Sequence, residues 1–351
     1  MGDTSEPTRR WFHFTPGHVP LALLAVEGLL LLSERCGWFG FNQHKGWTVL
    51  IAVASVGAAM LLMLLWFIIA LIFRWRFQFT IRSLLVLTVA VAIPCSWMAT
   101  EMKAAKRQKE VVEEIENVGV SVRYDWEVGA DRILQPNAQP PEPAWLRNLL
   151  GAGFFDNVVE ASVDDDAGLA HLKGLTQLQV LDLNFTRVSD AGLVHLKGLT
   201  QLQWLNVSLT AVSDAGLAHL KGLTQLQRLE LRNTTVSDAG LAHLKGLTQL
   251  QSMDLTGTKV SEAGLAHLKG LTQLQWLELR NTTVSDAGLA HLKGLTQLQW
   301  LDLDDTTVSD AGLAHLKGLT QLRELDLSRT KVSEEGAKKL RQALPNCSIH
   351  Y

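Results

Sequence analysis

Seven histidines recur every 24 residues, and imidazole is the side chain in this sequence best suited to metal binding or to pH sensing. Each precedes a lysine by two positions, from Lys173 to Lys317. Because they lie in separate copies of one sequence unit, we expect a row on one surface and no convergent cluster. A solvated stripe therefore explains them better than a metal centre. The seven are His171, His195, His219, His243, His267, His291 and His315.

The sequence lacks the usual signs of catalysis and of cofactor binding. It has no Gly-x-Gly-x-x-Gly or Walker-type phosphate loop, no zinc-ligand spacing and no Ser/His/Asp constellation outside the repeated register. Its three cysteines, Cys36, Cys95 and Cys347, are too far apart to indicate a disulfide framework or a Cys-x-x-Cys site. The formal net charge of -3 gives no basic footprint for nucleic acid. We expect a non-catalytic protein without metal or cofactor.

The histidines belong to a unit of 24 residues that is repeated seven times. The frame Leu178-x-x-Leu181-x-Leu183 returns from Leu202 and in five further copies, the last of which begins at Leu322. Between the frames runs a second fixed phrase, Ser-Asp-Ala-Gly-Leu-Ala-His-Leu-Lys-Gly-Leu-Thr-Gln-Leu, as at 213–226. One unit cannot bury its leucines alone, so neighbouring units must stack into a solenoid.

This unit resembles the leucine-rich repeat, through its L-x-x-L-x-L frame and the polar residue three places after the last leucine. The resemblance implies an α/β solenoid with a short parallel strand per repeat on a concave face and helical turns on a convex face. The family usually has Asn or Cys at the polar position, where this chain has threonine. A single hydroxyl forms fewer hydrogen bonds than an amide, so we expect a thinner ladder. The threonines are Thr186, Thr210, Thr234, Thr258, Thr282, Thr306 and Thr330.

The second phrase predicts how each convex element begins and ends. Ser189 and its equivalents occupy the N-cap position, and Asp190 follows at the positive end of the helix. Gly192 allows close packing, and Gly198 ends the helix.

The candidate binding residues lie where the copies differ, at strand positions that flank the inward leucines. A first row is acidic at six of seven positions, and its side chains stack ~4.8 Å apart. It runs Asp182, Asn206, Glu230, Asp254, Glu278, Asp302 and Asp326. A second row runs Val180, Trp204, Arg228, Ser252, Trp276, Trp300 and Glu324. A third row runs Asn184, Ser208, Arg232, Thr256, Arg280, Asp304 and Ser328.

These rows predict a ligand surface with aromatic anchors and an acidic stripe, suited to a basic or extended protein or peptide. We expect Trp276 and Trp300 to be adjacent, and Arg232 and Arg280 to neutralise part of the acidic row. The alternative is a generic solvated face of recently duplicated repeats, since 231–251 and 279–299 are identical. The candidate residues are Trp204, Arg228, Glu230, Arg232, Asp254, Trp276, Glu278, Arg280, Trp300, Asp302 and Asp304.

Residues 1–100 are interpreted as a membrane domain with two to three transmembrane helices, at about 17–33, 47–73 and 83–100. The stretch 47–73 is uncharged and long enough to span a bilayer. The stretch 83–100 is also uncharged but is interrupted by Pro94. The first segment is short and carries Glu27, so a re-entrant or interfacial hairpin is its alternative. The lipid bilayer is thus one expected partner.

The arginines predict the orientation of this integral membrane protein. Arg74, Arg76 and Arg82 mark a short cytoplasmic loop. With three spans, the repeats would then be extracytoplasmic. The basic residues just after the last span, such as Lys103 and Lys106, argue for the opposite side.

Residues 101–160 are interpreted as a juxtamembrane helix, a strand and the N-terminal cap of the solenoid, which itself spans 161–351 with a C-terminal cap. The cap comprises a helix over 101–118, a strand over 119–126, a proline-rich loop and a short helix over 144–150. Val158 and Val159 fit a degenerate first repeat, and the last five residues fit a closing strand.

The layout of apolar spans, junction and repeats resembles bacterial membrane-anchored leucine-rich-repeat proteins. The resemblance implies recognition without a fixed ligand. We therefore expect a membrane-tethered module that binds a protein or peptide through its concave face. The alternative is a structural spacer or a self-association array.

Overall fold

The computed structural model describes residues 81–116, 121–127, 139–140, 144–150 and 156–351. The predicted spans 17–33 and 47–73 lie outside these residues. The third predicted span, 83–100, falls within helix α1, Ile81–Glu116. Among the described residues, no helix has both the length and the apolar character needed to cross a membrane.

The chain divides into two compact units. One consists of Met1–Lys106 with Pro140–Phe155, and the other of Arg107–Gln139 with Asp156–Tyr351. The described part of the first unit contains the start of α1 and the short helix α2, Ala144–Leu150. The second unit contains the end of α1 and all of the repeats.

The repeats form one ten-stranded sheet in which the strands lie side by side in chain order. The first pair, β1 and β2, is antiparallel, and every later pair is parallel. This arrangement confirms the predicted solenoid with a strand in each repeat. The strands are β1 Ser121–Tyr124, β2 Val158–Ser162, β3 Val180–Asp182, β4 Trp204–Asn206, β5 Arg228–Glu230, β6 Ser252–Asp254, β7 Trp276–Glu278, β8 Trp300–Asp302, β9 Glu324–Asp326 and β10 Ser348–His350.

The convex side consists of one-turn helices that run into 3₁₀ turns. The helices are α3 Asp166–His171, α4 Asp190–Leu193, α5 Asp214–Leu217, α6 Asp238–Leu241, α7 Glu262–Leu265, α8 Asp286–Leu289, α9 Asp310–Leu313 and α10 Glu334–Ala343. The 3₁₀ turns are Leu172–Gly174, Val194–Gly198, Ala218–Gly222, Ala242–Leu244, Ala266–Leu268 and Ala290–Leu292.

Between the two sides, the repeated leucines and valines form one continuous buried core. Both ends of this core are covered. At the N-terminal end, Val112 and Ile115 of α1 are buried in it, and β1 pairs with β2. At the C-terminal end, β10 pairs with β9 and places Ile349 opposite Leu325. The closing strand therefore lies where the 24-residue spacing predicts it.

The threonine row forms hydrogen bonds within each repeat rather than between repeats. The Thr186 hydroxyl donates to the Leu183 carbonyl at 2.7 Å, and Thr258 donates in the same way to Leu255 at 2.6 Å. The other five copies form the same bond. As expected for a single hydroxyl, this position builds no ladder from one repeat to the next.

Repeats are joined instead by an aspartate ladder on the convex side, which the sequence did not reveal. Asp190 accepts a hydrogen bond from the Ser213 backbone N–H at 2.7 Å and another from the Ser213 hydroxyl at 2.5 Å. Equivalent pairs link Asp166, Asp214, Asp238, Asp286 and Asp310 to the serine of the next repeat. The same serine hydroxyls cap the short helices, as predicted, for example by accepting from the Ala215 N–H.

The ladder explains why glycine is needed at position 192. The role predicted for Gly198, by contrast, is only partly correct. A Cβ on Gly192 would lie 2.2 Å from Asp166 Oδ1, so only glycine allows the aspartate to pack there. The 3₁₀ turn does end at Gly198. However, Gly198 is not in the left-handed conformation that ends many helices; among the described glycines only Gly257 has a positive φ, of 67°.

Candidate functional site

The parallel register places the three predicted rows side by side on the sheet. Trp276 pairs with Trp300, and Glu278 pairs with Asp302, in neighbouring strands. Trp204 and Arg228 form the equivalent pair three repeats earlier. Since the inward leucines of the same strands are buried, the predicted site residues all lie on the opposite, concave face.

The two tryptophans are adjacent, as expected, and their rings are stacked. The ring centroids of Trp276 and Trp300 are 4.1 Å apart and the ring planes differ by 5°. Trp276 donates its indole N–H to Glu278 Oε1 at 2.7 Å. Its side chain is nevertheless 38% exposed. One indole face is covered by Trp300, so the other face is directed towards β6.

A second aromatic group lies on β4 and β5. The Arg228 guanidinium carbon is 5.2 Å from the centroid of the Trp204 ring, which is a cation–π contact. Arg228 Nε donates to Glu230 Oε1 at 2.7 Å. The Trp204 indole N–H donates to the same oxygen at 3.1 Å. Glu230 thus holds both side chains and balances the arginine charge.

The predicted acidic row divides by side-chain length into two roles. Asp254 Oδ1 accepts a hydrogen bond from the backbone N–H of Thr256, two residues later, at 2.8 Å. Asp182, Asn206, Asp302 and Asp326 form the same bond. The longer Glu230 and Glu278 reach the Trp and Arg side chains instead. The short residues therefore hold the chain as it leaves the strand, and the two glutamates organise the aromatic groups.

The third row is less exposed than the sequence predicts. Asp304 is buried and forms salt bridges with Arg280, at 3.1 Å, and with Arg329. Arg280 therefore forms its salt bridge with a carboxylate of the third row, and its charge also lowers the pKa of Asp302 in the acidic row. Asn206 and Ser208 are also buried. Asp304 is consequently occupied by protein partners, although it was predicted to face a ligand.

The carboxylates differ in their tendency to ionise. Burial raises the pKa of Glu278; Asp254 and Asp302 raise it further, whereas the Trp276 hydrogen bond and the charge of Arg232 lower it. Burial also raises the pKa of Asp302. By contrast, the hydrogen bond from Arg329 lowers the pKa of Asp304. On the concave face, the pKa values of Glu278 and Asp302 are thus raised, whereas Asp304 is stabilised in its charged form by arginines.

An open slot separates the two aromatic groups. It has a volume of about 400 Å³ and lies over Ser252, between Arg228 and Trp276. Ser252 is the smallest residue in the second row, so the slot is a gap in that row. The lining residues are Arg228, Glu230, Gln251, Ser252, Asp254, Gln275, Trp276, Glu278 and Gln299.

Some of these residues were not predicted. Ser252 was in the sequence rows but was not chosen, because a small side chain suggests no contact of its own. Gln251, Gln275 and Gln299 precede their strands, at a position that carries glutamine in six of the seven copies and Arg323 in the last, so they do not stand out among the variable positions. Arg329 lies in the last repeat, at a position that carries Phe, Leu, Asn, Gly or Asp in the others, and only the structure reveals its pairing with Asp304.

The recurring histidines lie on the convex side, within or next to the helical turns. Burial, followed by the charge of Lys245, lowers the pKa of His267. In the part of the chain that the structure describes, no three His, Cys, Asp or Glu side chains converge as metal ligands would.

The comparisons with known proteins agree with the repeat pattern. A family model described as "Leucine Rich repeat" matches residues 318–340. No curated protein matches the chain.

Three solved structures illustrate the similarity. Internalin C2 of Listeria monocytogenes is 27% identical with a TM-score of 0.45, over 55% of this chain and 80% of that one. An internalin F of the same organism is 22% identical with a TM-score of 0.33, over 52% and 69%. A leucine-rich-repeat protein of Leptospira interrogans is 18% identical with a TM-score of 0.35, over 52% and 56%.

The matched segment, 318–340, contains the seventh copy of the leucine frame, which begins at Leu322, and the first part of the helix that follows it. The same frame builds every parallel strand from β3 to β9. Folds of this kind present extended concave surfaces that commonly bind other proteins. One copy of the repeated unit thus matches the leucine-rich-repeat model, and the same frame recurs in all seven copies.

Proposed function

We propose that this protein is a non-catalytic recognition module that binds a protein or peptide partner through the concave face of its repeats. The observation that carries the proposal is the stacked pair Trp276 and Trp300, with Trp276 partly exposed. Large aromatic side chains are common anchors of protein interfaces. The buried leucine core does not require an indole on the solvent side of the sheet.

The charges of the same face indicate the chemistry of the partner. Around the slot, the carboxylates of Glu230, Asp254 and Glu278 meet two arginines, Arg228 in the lining and Arg232, whose charge acts on Glu278. Arg228 is already paired with Glu230. The uncompensated charge is therefore negative, and it favours a basic or extended partner over an acidic one.

Affinity capture tests the proposal. The full-length protein, held in mild detergent, is used as bait in wild-type form and as Trp276→Ala and Trp300→Ala. His243→Ala, on the convex side, is the matched control. We expect the partner captured by the wild type to be retained by His243→Ala and lost or strongly reduced with both tryptophan variants. Equal capture by all four baits would reject the concave face as the binding surface.

Sedimentation separates recognition from the alternative of a self-association array. A recognition module keeps a constant sedimentation coefficient as the concentration of the purified protein rises. A self-associating array gives larger species at higher concentration, and these would persist in the tryptophan variants if the contact lies elsewhere.

We further propose that the N-terminal segments anchor this module in a lipid bilayer, with the repeats on the extracytoplasmic side. The support is the sequence alone: the uncharged stretch 47–73 and the arginines from Arg74 to Arg82 that follow it. Protease added to intact cells tests the orientation. Cleavage of the repeats without cell lysis is expected, and protection until lysis would place them on the cytoplasmic side.

A further inference from the structure

The second row of the concave face is a stack of planar groups with one layer missing. Trp204 and Arg228 are in cation–π contact at one end, and Trp276 and Trp300 are stacked at the other. Between them, on β6, the row contains only Ser252. The free face of Trp276 is directed towards this gap.

The width of the gap fits one planar group. Arg228 and Trp276 are two strands apart, which is roughly 9.6 Å at ~4.8 Å per strand. Planar groups in contact, such as the two tryptophans, are 4.1 Å apart. Two such contacts take up roughly 8 Å, so a single layer inserted above Ser252 would touch both walls.

The carboxylates of Asp254 and Glu278 at the gap favour a ligand that is positively charged and donates hydrogen bonds. Asp254 uses one carboxylate oxygen for the Thr256 amide, and among the described residues its second oxygen has no protein partner. Glu278 accepts the Trp276 indole N–H on one oxygen, and on the other only a long 3.5 Å bond from Thr256. Both carboxylates line the slot.

We propose that this slot binds the guanidinium group of an arginine side chain of the partner, an inference that rests on the proposed recognition function. A guanidinium is planar and cationic, and all of its N–H donors lie in its plane. It can therefore stack on Trp276 while its edge donates to Asp254 and Glu278. A neutral aromatic ring would fill the layer but would leave the second Asp254 oxygen without a donor.

The Arg228 charge does not exclude a second guanidinium. Arg228 Nε is bound to Glu230 at 2.7 Å, and the ring of Trp204 lies against its guanidinium. Three carboxylates line the slot, and two arginines act on them: Arg228 in the lining and Arg232 through its charge on Glu278. One negative charge therefore remains. Arginine groups can stack when carboxylates at their edges balance the charge, and these carboxylates are already in position.

Three short peptides test separately the positive charge and the planar shape of the guanidinium. Each is a blocked pentapeptide of glycines with one central residue, which is arginine, lysine or citrulline. Lysine retains the charge without the plane, and citrulline retains the plane without the charge. Binding to the full-length protein in detergent is measured by isothermal titration calorimetry. We expect the arginine peptide to bind about tenfold more tightly than either of the others.

Two variants locate the binding in the slot. Ser252→Trp fills the missing layer with a side chain that the row already accepts on three other strands, and Trp276→Ala removes one wall. Both are expected to weaken arginine binding about tenfold or more. The control, Asn184→Ala, follows β3, three strands from Ser252, and should leave binding unchanged. Thermal unfolding of each variant confirms that the repeats remain folded.

Several results would overturn the inference: equal binding of the lysine or citrulline peptide, wild-type affinity in Ser252→Trp, or no binding of the arginine peptide at millimolar concentration. These results are distinct from failure of the proposed function. If a protein partner is still lost with Trp276→Ala while no peptide shows an arginine preference, concave recognition stands and the arginine assignment does not.

Discussion

The Asp238 carboxylate accepts two hydrogen bonds from Ser261 of the next repeat, from the backbone N–H at 2.7 Å and from the hydroxyl at 2.6 Å. One repeat later the pattern changes, because Glu262 replaces aspartate. Its only bond to the ladder is with the Ser285 hydroxyl, at 3.3 Å, and Ser285 forms no side-chain cap. One extra methylene therefore interrupts a ladder that otherwise joins the repeats from Asp166 to Ser333.

Restoring the ladder should stabilise the solenoid. We expect Glu262→Asp to raise the free energy of unfolding by about 1 kcal/mol, because the aspartate would accept a hydrogen bond from the Ser285 backbone N–H and restore the helix cap. The midpoint of thermal unfolding would rise by about 2–4 °C. The reverse change, Asp238→Glu, is the matched control and should lower the midpoint by a similar amount. An unchanged midpoint in both variants would show that the ladder does not contribute to stability.

The ladder also predicts which glycines are required. A Cβ on Gly240 would lie 2.5 Å from Asp214 Oδ1, whereas a Cβ on Gly246 would meet nothing within 4 Å. Gly240→Ala should therefore destabilise the protein by about 1–3 kcal/mol through overpacking. Gly246→Ala should be neutral or slightly stabilising, because alanine restricts the unfolded chain. Denaturant titration of the two variants measures the difference, and equal effects would contradict the close approach.

Each repeat places one residue in the left-handed conformation after its strand. Asn233, Gly257 and Asn281 suit this conformation, but Phe185, with φ of 58°, and Leu209, with φ of 56°, do not. Phe185 is also 82% exposed, so it gains little from burial. Phe185→Asn should stabilise the protein by about 1 kcal/mol, and Asn233→Leu should destabilise it comparably. Thermal unfolding checks both; a loss of stability in Phe185→Asn would indicate an unrecognised contact of the ring.

The pairing of Asp304 predicts a dependence of stability on pH. Because Arg329 and Arg280 lower its pKa in the folded state below the ordinary 3.8, its contribution is complete above that value. The contribution is lost as the pH falls through the lowered pKa. Asp304→Asn should thus be less stable than the wild type by about 2 kcal/mol near neutral pH. The difference should shrink below pH 3.8, and a difference that stays constant with pH would contradict this assignment.

The sequence was sufficient for the scaffold because its pattern is periodic. The leucine frame predicted the strands, Ser189 and its equivalents predicted the caps, and the spacing of Ile349 from Leu325 predicted β10. Each depends on local spacing that repeats every 24 residues, so seven copies support the same prediction.

The site could be predicted only in part. Row membership and the adjacency of Trp276 and Trp300 followed from the register. The division between Asp254, which binds a backbone amide, and Glu278, which binds an indole, depends on side-chain reach. The pairing of Asp304 with Arg329 depends on the path of the chain after the strand. The difference in length between Asp and Glu is visible in the sequence, but the partners that each side chain reaches become known only from the structure.

The central claim is that the partner binds on the concave face, around the gap above Ser252. Site-specific photo-crosslinking tests it most directly. A benzophenone amino acid replaces Glu324, which lies beside Trp300 on the concave face and outside the slot, in one protein and His243, on the convex side, in another, and each is irradiated with the captured partner. We predict a crosslinked complex from position 324 and none from position 243. A crosslink from position 243 alone would contradict the account.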